Sequence, residues 1–148
     1  LPYVEELGER LVSEIILLHV CPPNLESFSH KHRVYIEQVA QVVREHLKGV
    51  GRVEPILLAG EPNREIIDYV KTNDIGLIAI MTHGSSGIKR WVLGSVADKV
   101  MRETSKPVLL IRAGRPVAVR EEGMLNKLLV PLDGSKLSKD VLLYVEGF

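Results

Sequence analysis

The sequence predicts an α/β domain in which helices cover both faces of a parallel sheet. Two observations lead to this prediction. Short, continuously apolar segments recur along the chain, as in strands buried on both faces, and amphipathic segments of helical period separate them. This alternation indicates right-handed crossovers between parallel strands. The chain has 148 residues, of which 45% are hydrophobic, and this is enough for the core of one domain.

Four apolar runs predict strands, and three helices fill the gaps between them. The strands lie at 14–20, 52–58, 76–81 and 107–112, and the helices at 30–48, 62–72 and 95–105. In the first two helices the apolar side chains repeat at spacings that place them on one inward face. These residues are Ile36, Val39, Ala40, Val43 and Leu47, then Ile66, Ile67 and Val70.

Two of the helices carry start signals. Pro62 suits a first turn, because the N–H group that proline lacks would have no partner there. Ser95 is followed three positions later by Asp98, which is a capping-box pattern. The sequence therefore predicts that Ser95 caps the third helix.

Composition excludes several classes of protein. The apolar runs are strand-sized, far short of the ~20 residues that a membrane-spanning helix needs, and the acidic opening does not resemble a secretory signal. Cys21 is the only cysteine, so no disulfide framework or Cys-x-x-Cys site is expected. The 19 basic and 19 acidic residues balance, which argues against a nucleic-acid binder. We expect a cytoplasmic protein that binds neither membranes nor nucleic acid.

The C-terminal part predicts the opening of a second copy of the same unit. After a connector at 113–126, the segment 127–148 supplies a fifth apolar strand at 127–132, a turn and the start of a helix. Residues 142–148 repeat the Leu, Tyr, Val and Glu of residues 1–7 in register. The expected organisation is a domain at 1–112, this connector, and the first strand and helix start of a next repeat.

A loop rich in glycine and serine, residues 82–95, follows the third predicted strand. In doubly wound sheets, ligands bind beyond the carboxyl ends of the strands. Gly84 and Gly94 have no side chains to keep backbone N–H groups away from a phosphate, and Ser95 opens a helix whose amino end is partially positive. The sequence therefore predicts an anion site, to which Ser85, Lys89 and Arg90 can contribute hydroxyl and cationic groups.

The strand ILLHV, the GEP before a helix, the run LLVPLDGS and above all THGSSGIKRWVLGSVADKVMRETSKPVLLIR together resemble the universal stress protein family, in its tandem bacterial or archaeal type. The resemblance implies a Rossmann-like, five-stranded parallel sheet in the order 3-2-1-4-5. It also implies a homodimer, formed through the edge strand at 108–112 or by exchange of the C-terminal segment. Some members of the family bind ATP as a signal and others do not.

The resemblance also implies a set of nucleotide-contacting residues. The family pattern is glycine, two residues, glycine, nine residues, glycine and then serine or threonine; Gly84, Gly94 and Ser95 match it, but Met81 stands where binding members have glycine. Val20 is expected to meet adenine through its backbone, and Asp133 to approach the adenosine. The full expected set is Val20, Thr82, His83, Gly84, Ser85, Gly87, Gly94, Ser95, Val96, Pro131 and Asp133. The expected ligand is ATP, with AMP, ADP and bound Mg²⁺ left open.

The family's first strand lies at the centre of its sheet, and in this chain only 127–132 matches it. Without it, a slot lined by unpaired backbone groups would remain, each costing about 1–3 kcal/mol. The segment can fill its own slot, enter that of a neighbouring molecule, or begin a further domain. The sequence leaves these alternatives open.

Purely structural interpretations compete with the functional ones. The glycines can simply make turns, Trp91 can anchor the loop, and His19 and His83 are expected to be structural or solvent-facing. His30 and His32 are two residues apart, on different helix faces, which argues against a shared metal.

No Walker, dinucleotide or nucleophile-elbow motif is present, so no catalytic residue is predicted and ATP hydrolysis is expected to be slow at most. The first hypothesis is a nucleotide-binding regulator. The alternatives are a dimeric scaffold without nucleotide and, third, an ATP-using enzyme.

Overall fold

The predicted alternation of strands and helices is confirmed. A computed structural model of the protein describes residues 14–21, 23, 26–46, 51–82, 93–112, 129–132 and 142. Its elements are β1 Ile15–Cys21, α1 Glu26–His46, β2 Val53–Ala59, α2 Pro62–Thr72, β3 Ile78–Met81, α3 Ser95–Glu103 and β4 Val108–Ile111. The four strands overlap the predicted apolar runs and the three helices lie between them, and none of the described helices is long and apolar enough to cross a bilayer.

The strands pair in parallel, as predicted. β1 pairs with β2 from Ile15↔Val53 to Cys21↔Ala59, and β3 pairs with β4 from Ile78↔Val108 to Met81↔Ile111. The described residues therefore form two two-stranded sheets rather than one sheet of five. The order 3-2-1-4-5 stays a prediction.

Helices cover the two faces of the β1–β2 pair. On one face, Ile15 and Val53 pack with Ala40 and Val43 of α1, and the last two are fully buried. Residues alternate between the faces of a strand, so Glu54 lies on the face opposite Val53. Burial raises the pKa of the Tyr69 phenol on α2, and the nearby carboxylates of Glu54 and Glu14 add to the effect. α2 contacts β1, and α1 already occupies the face of Ile15 and Val53, so α2 lies over the second face.

Two details of the helices differ from the prediction. α1 begins at Glu26, four residues before the predicted start. The prediction is too short because the apolar stripe begins only at Ile36 and gives no signal for the first turns of the helix. The capping box is wrong: Gly94 caps α3, and no side-chain hydrogen bond caps it. The Asp98 carboxylate instead accepts the single Arg102 Nε–H, which it shares between Oδ1 at 3.0 Å and Oδ2 at 3.1 Å. This i, i+4 ion pair competes successfully for the group that a capping box would use.

The described part of the C-terminal segment does not complete either sheet. Residues 129–132 form no strand, and Leu129 is 88% exposed. β3 also departs from the prediction that its strand is buried on both faces, because Ala79 and Met81 are exposed. Pairing of this segment within the same chain, exchange between molecules and the start of a further domain all remain predictions.

Candidate functional site

The backbone of Thr82 joins the carboxyl end of β3 to the start of α3. Thr82 follows β3, and its N–H donates to the Ile111 carbonyl at the end of β4, at 2.9 Å. The Thr82 carbonyl in turn accepts a hydrogen bond from the Gly94 N–H at 2.6 Å. Thr82 therefore fixes the start of α3 at the carboxyl edge of the β3–β4 pair, which is where doubly wound folds bind ligands.

The first turn of α3 presents backbone donors. The first hydrogen bond within the helix runs from the Asp98 N–H to the Gly94 carbonyl, at 2.9 Å. The N–H groups of Ser95, Val96 and Ala97 consequently have no acceptor inside α3. Together with the exposed Ser95 hydroxyl and the positive end of the helix dipole, they form an anion-binding arrangement.

Gly94 itself requires a correction. The sequence predicts that its amide faces a bound phosphate, but in the structure this N–H is bonded to Thr82. The physical reason is local, because this hydrogen bond brings the chain back to the sheet edge before α3 begins. Gly94 therefore positions the site, and the donors available to an anion begin at Ser95.

Met81 lies at the edge of this arrangement. Its side chain is 53% exposed and shares a strand face with Ala79, whereas Thr82 follows on the opposite face. The thioether is therefore outside the core and adjacent in sequence to the residue that anchors α3.

The cationic side chains of α3, Lys99 and Arg102, form ion pairs with carboxylates. Lys99 Nζ lies 3.6 Å from Glu61 Oε1 at the start of α2, and Arg102 pairs with Asp98. Neither is arranged to neutralise an anion at Ser95. Lys89 and Arg90, predicted for that role, lie outside the described residues.

The structure joins part of the predicted set of site residues. Thr82, Gly94, Ser95 and Val96 form one continuous group through the Thr82–Gly94 bond. Val20 lies near the end of β1, in the other sheet, and Pro131 is exposed within 129–132. The remaining five fall outside the described residues, namely His83, Gly84, Ser85, Gly87 and Asp133.

One pair of residues was missed by the sequence analysis. His19 Nε2 lies 2.7 Å from His32 Nδ1, a contact that the expectation of a structural or solvent-facing His19 does not include. A signal was available: His19 shares a strand face with Ile15 and Leu17, and His32 precedes Ile36 by four residues along the buried stripe of α1. The predicted separation of His30 from His32 is confirmed, because His30 is exposed and His32 is half-buried.

Comparison with known proteins agrees with the fold. The model of the universal stress protein family matches residues 2–112. The chain belongs to this family. It is 42% identical over 65 residues to universal stress protein YxiE of Bacillus subtilis, covering 44% of this chain and 43% of YxiE. It is 31% identical over 71 residues to universal stress protein MJ0577 of Methanocaldococcus jannaschii, covering 47% of this chain and 44% of MJ0577.

Solved structures of universal stress proteins extend this similarity. The MJ0577 structure has a TM-score of 0.58 and 26% identity, covering 77% of this chain and 85% of that one. A universal stress protein in complex with cAMP has a TM-score of 0.61 and 16% identity, covering 76% of this chain and 84% of that one, and this likeness shows the fold alone. In sequence, the matched segments span less than half the length of the curated relatives.

Proposed function

We propose that this universal stress protein binds an adenine nucleotide as a regulatory signal, with the phosphates against the first turn of α3. The observation that carries the proposal is the Thr82–Gly94 hydrogen bond, which fixes three helix amides at the carboxyl edge of the sheet. Phosphate is a ligand that backbone amides at a helix N-terminus bind well. The cAMP complex of a protein with this fold supports the adenine nucleotide as the ligand class.

In this proposal the amides of Ser95 and Val96 and the Ser95 hydroxyl hold phosphate oxygens. Val20 and Asp133 serve the adenosine portion, and the loop residues from His83 to Gly87 complete the cradle with Thr82 and Pro131. ATP is the proposed ligand, and AMP, ADP and Mg²⁺ are the variables of the binding experiment. The protein acts in the cytoplasm through ligand occupancy rather than through turnover.

We propose further that the segment 127–132 completes the sheet by lying between β1 and β3. The strand order is then β2, β1, 127–132, β3 and β4, which is the family order 3-2-1-4-5. Its exposed leucines, Leu129 at 88% and Leu132 at 50%, support this proposal because pairing inside the sheet would bury them. The same step brings Asp133 to the carboxyl edge on which Val20 and Thr82 lie. A homodimer forms by exchange of this segment between two molecules or through the edge strand at 108–112.

Thermal unfolding with and without ATP tests the nucleotide proposal. A ligand at 100 times its Kd adds about 2.7 kcal/mol to the stability of the folded state. We expect ATP to raise the melting temperature of the wild-type protein and GTP at the same concentration to raise it less. An unchanged melting temperature at millimolar ATP contradicts the proposal.

One observation favours a dimeric scaffold without nucleotide as the second candidate. Met81 occupies the position at which binding members of the family have glycine. Met81→Gly separates the candidates. If the thioether obstructs a working site, this change strengthens ATP binding, whereas Met101→Ala, at another exposed methionine, has no effect. No ATP binding by either Met81→Gly or the wild type selects the scaffold.

A further inference from the structure

A histidine pair connects the carboxyl half of β1 to α1. His19 Nε2 and His32 Nδ1 are 2.7 Å apart, and the ring centroids are 4.8 Å apart with planes inclined by 27°, so the rings meet edge to edge through these nitrogens. Tyr35, one turn further along α1, meets the His19 ring edge-on with a centroid distance of 5.5 Å. The nucleotide proposal makes no use of this cluster.

A hydrogen bond between two imidazole nitrogens has a strict requirement. One nitrogen must carry a proton and the other must offer its lone pair. The neutral pair meets this requirement, and so does the pair with one added proton. A second added proton leaves two N–H groups facing each other at a distance that only a hydrogen bond stabilises, and it places two positive charges in contact.

Among the described residues, the neighbours of the pair are mostly apolar or cationic. β2 presents Leu57 opposite His19, with Ile56 and Leu58 on either side. From α1 come His32 and Tyr35, with the cationic residues Lys31 and Arg33 flanking His32 in the sequence, and Glu37 exposed further along the helix.

α2 covers the other face of β1, so Tyr69 and its carboxylate neighbours Glu54 and Glu14 do not share the face of His19. Among the described residues, no group of three His, Cys, Asp or Glu side chains is placed to hold a metal ion.

From this geometry we propose that the His19–His32 pair is an acid-sensitive latch between β1 and α1. Near neutral pH the shared hydrogen bond and the contact between the rings hold the first half of α1 against the strand. Uptake of the second proton breaks the bond and releases that half of the helix. The latch lies one residue before Val20, but it operates on the fold itself and does not depend on nucleotide binding.

The direction of the pH effect follows from the environment of His19. Burial lowers the pKa of His19 below its ordinary value of 6.5, and the adjacent His32 lowers it further. The folded state therefore binds fewer protons than the unfolded chain, and stability falls as the pH drops below about 6.5. Each unit by which the folded pKa lies below the unfolded value multiplies the unfolding equilibrium constant by about ten at low pH.

Nitrogen-detected NMR of the histidine rings, titrated from pH 8 to pH 5, tests the latch in the wild-type protein. We expect one ring nitrogen of the pair to be protonated and its partner bare at pH 8, and His19 to titrate below the ordinary histidine pKa of 6.5. Hydrogen exchange of the amides of residues 30–36 should accelerate on acidification in step with that titration. Ordinary titration of both rings with no change in exchange overturns the proposal.

Matched variants separate the latch from general acid sensitivity. His32→Gln removes the second charge but leaves an amide that can donate to or accept from His19, and His30→Gln changes an exposed histidine on the same helix. We expect His32→Gln to reduce the loss of stability between pH 7.5 and pH 5 and to raise the pKa of His19, while His30→Gln retains the wild-type loss. Equal losses in the two variants contradict the latch. Should His32→Gln fail to fold, the wild-type titration decides alone.

Discussion

The first turns of α2 and α3 face the same problem, because both helices begin at the carboxyl end of a strand pair and leave backbone donors without partners inside the helix. In α2 the first position is Pro62, which has no N–H, and Glu61 and Glu65 place carboxylates at the positive end of the helix. In α3 the corresponding residues are Gly94, Ser95 and Asp98, so the cap and the first position carry no charge and the fourth carries a carboxylate. Neither helix has a side-chain hydrogen bond at its N-terminal cap.

The difference shows how a helix start becomes a binding site. The carboxylates of Glu61 and Glu65 interact favourably with the positive end of the α2 dipole. Glu61 Oε1 also lies 3.6 Å from Lys99 Nζ of α3. α3 carries one acidic residue in its first turn, Asp98, and that carboxylate is held by Arg102. The positive end of α3 therefore remains available to an external anion, whereas that of α2 is already neutralised.

The largest expected effect concerns the turn before α2. Gly60 has φ +157°, and a Cβ atom there would come within 2.7 Å of Glu65 Cδ and 2.8 Å of Glu65 Cγ. We expect Gly60→Ala to destabilise the fold by about 1–3 kcal/mol in urea denaturation. Gly51→Ala is the matched control, since nothing lies within 4 Å of an added Cβ there. Equal stabilities of the two variants would show that the α2 turn is not constrained in this way.

Making the start of α3 resemble that of α2 gives the next largest effect. Ser95→Pro removes one amide and one hydroxyl donor at a position where proline is tolerated, and Gly94, at φ −61° and ψ 146°, already has the conformation preferred before proline. We expect ATP affinity to fall about tenfold, or ~1.4 kcal/mol, with the fold retained. Ser95→Ala, which keeps the amide, should lose less. Unchanged affinity in the proline variant would remove this amide from the site.

A charge placed at the same position should separate stability from binding. Ser95→Asp supplies the carboxylate that α2 already has, so we expect stability to rise by about 0.3–1 kcal/mol at low ionic strength. ATP binding should weaken because the new charge repels phosphate. Ser95→Asn is the neutral control of equal size. A stabilised Ser95→Asp variant that still binds ATP as the wild type does would place the phosphates elsewhere.

The smallest effect is the reverse change in α2. Glu65→Gln removes a first-turn carboxylate, and we expect a loss of about 0.3–1 kcal/mol that diminishes with added salt. Chemical denaturation at two salt concentrations measures it, and Glu37→Gln, on the exposed middle of α1, serves as the control. A loss that is independent of salt would assign Glu65 a packing role instead.

The sequence predicted most of the fold because its elements depend on local chemistry. Continuous apolar runs located β1 to β4, and Pro62 marked the start of α2 at the residue where the structure begins it. The start of α3 was harder, since Ser95 and Asp98 match a capping box while Asp98 and Arg102 match a helical ion pair. Only the folded geometry selects between these patterns.

The candidate site was predicted less completely for a similar reason. The approach of Gly94 to Thr82 and that of His19 to His32 join residues on different elements, and their distances depend on tertiary packing. Local pattern places each residue on its strand or helix face, but it does not fix which amide a carbonyl will engage. The predicted role of the Gly94 amide failed at that step.

Amide chemical shifts measured during an ATP titration test the central claim most directly, because α2 provides the comparison within the same molecule. The account predicts saturable shifts at Ser95, Val96 and Ala97, and none of similar size at Asn63, Arg64 and Glu65. Shifts confined to the α2 residues, or no saturable shift at the start of α3, would contradict it.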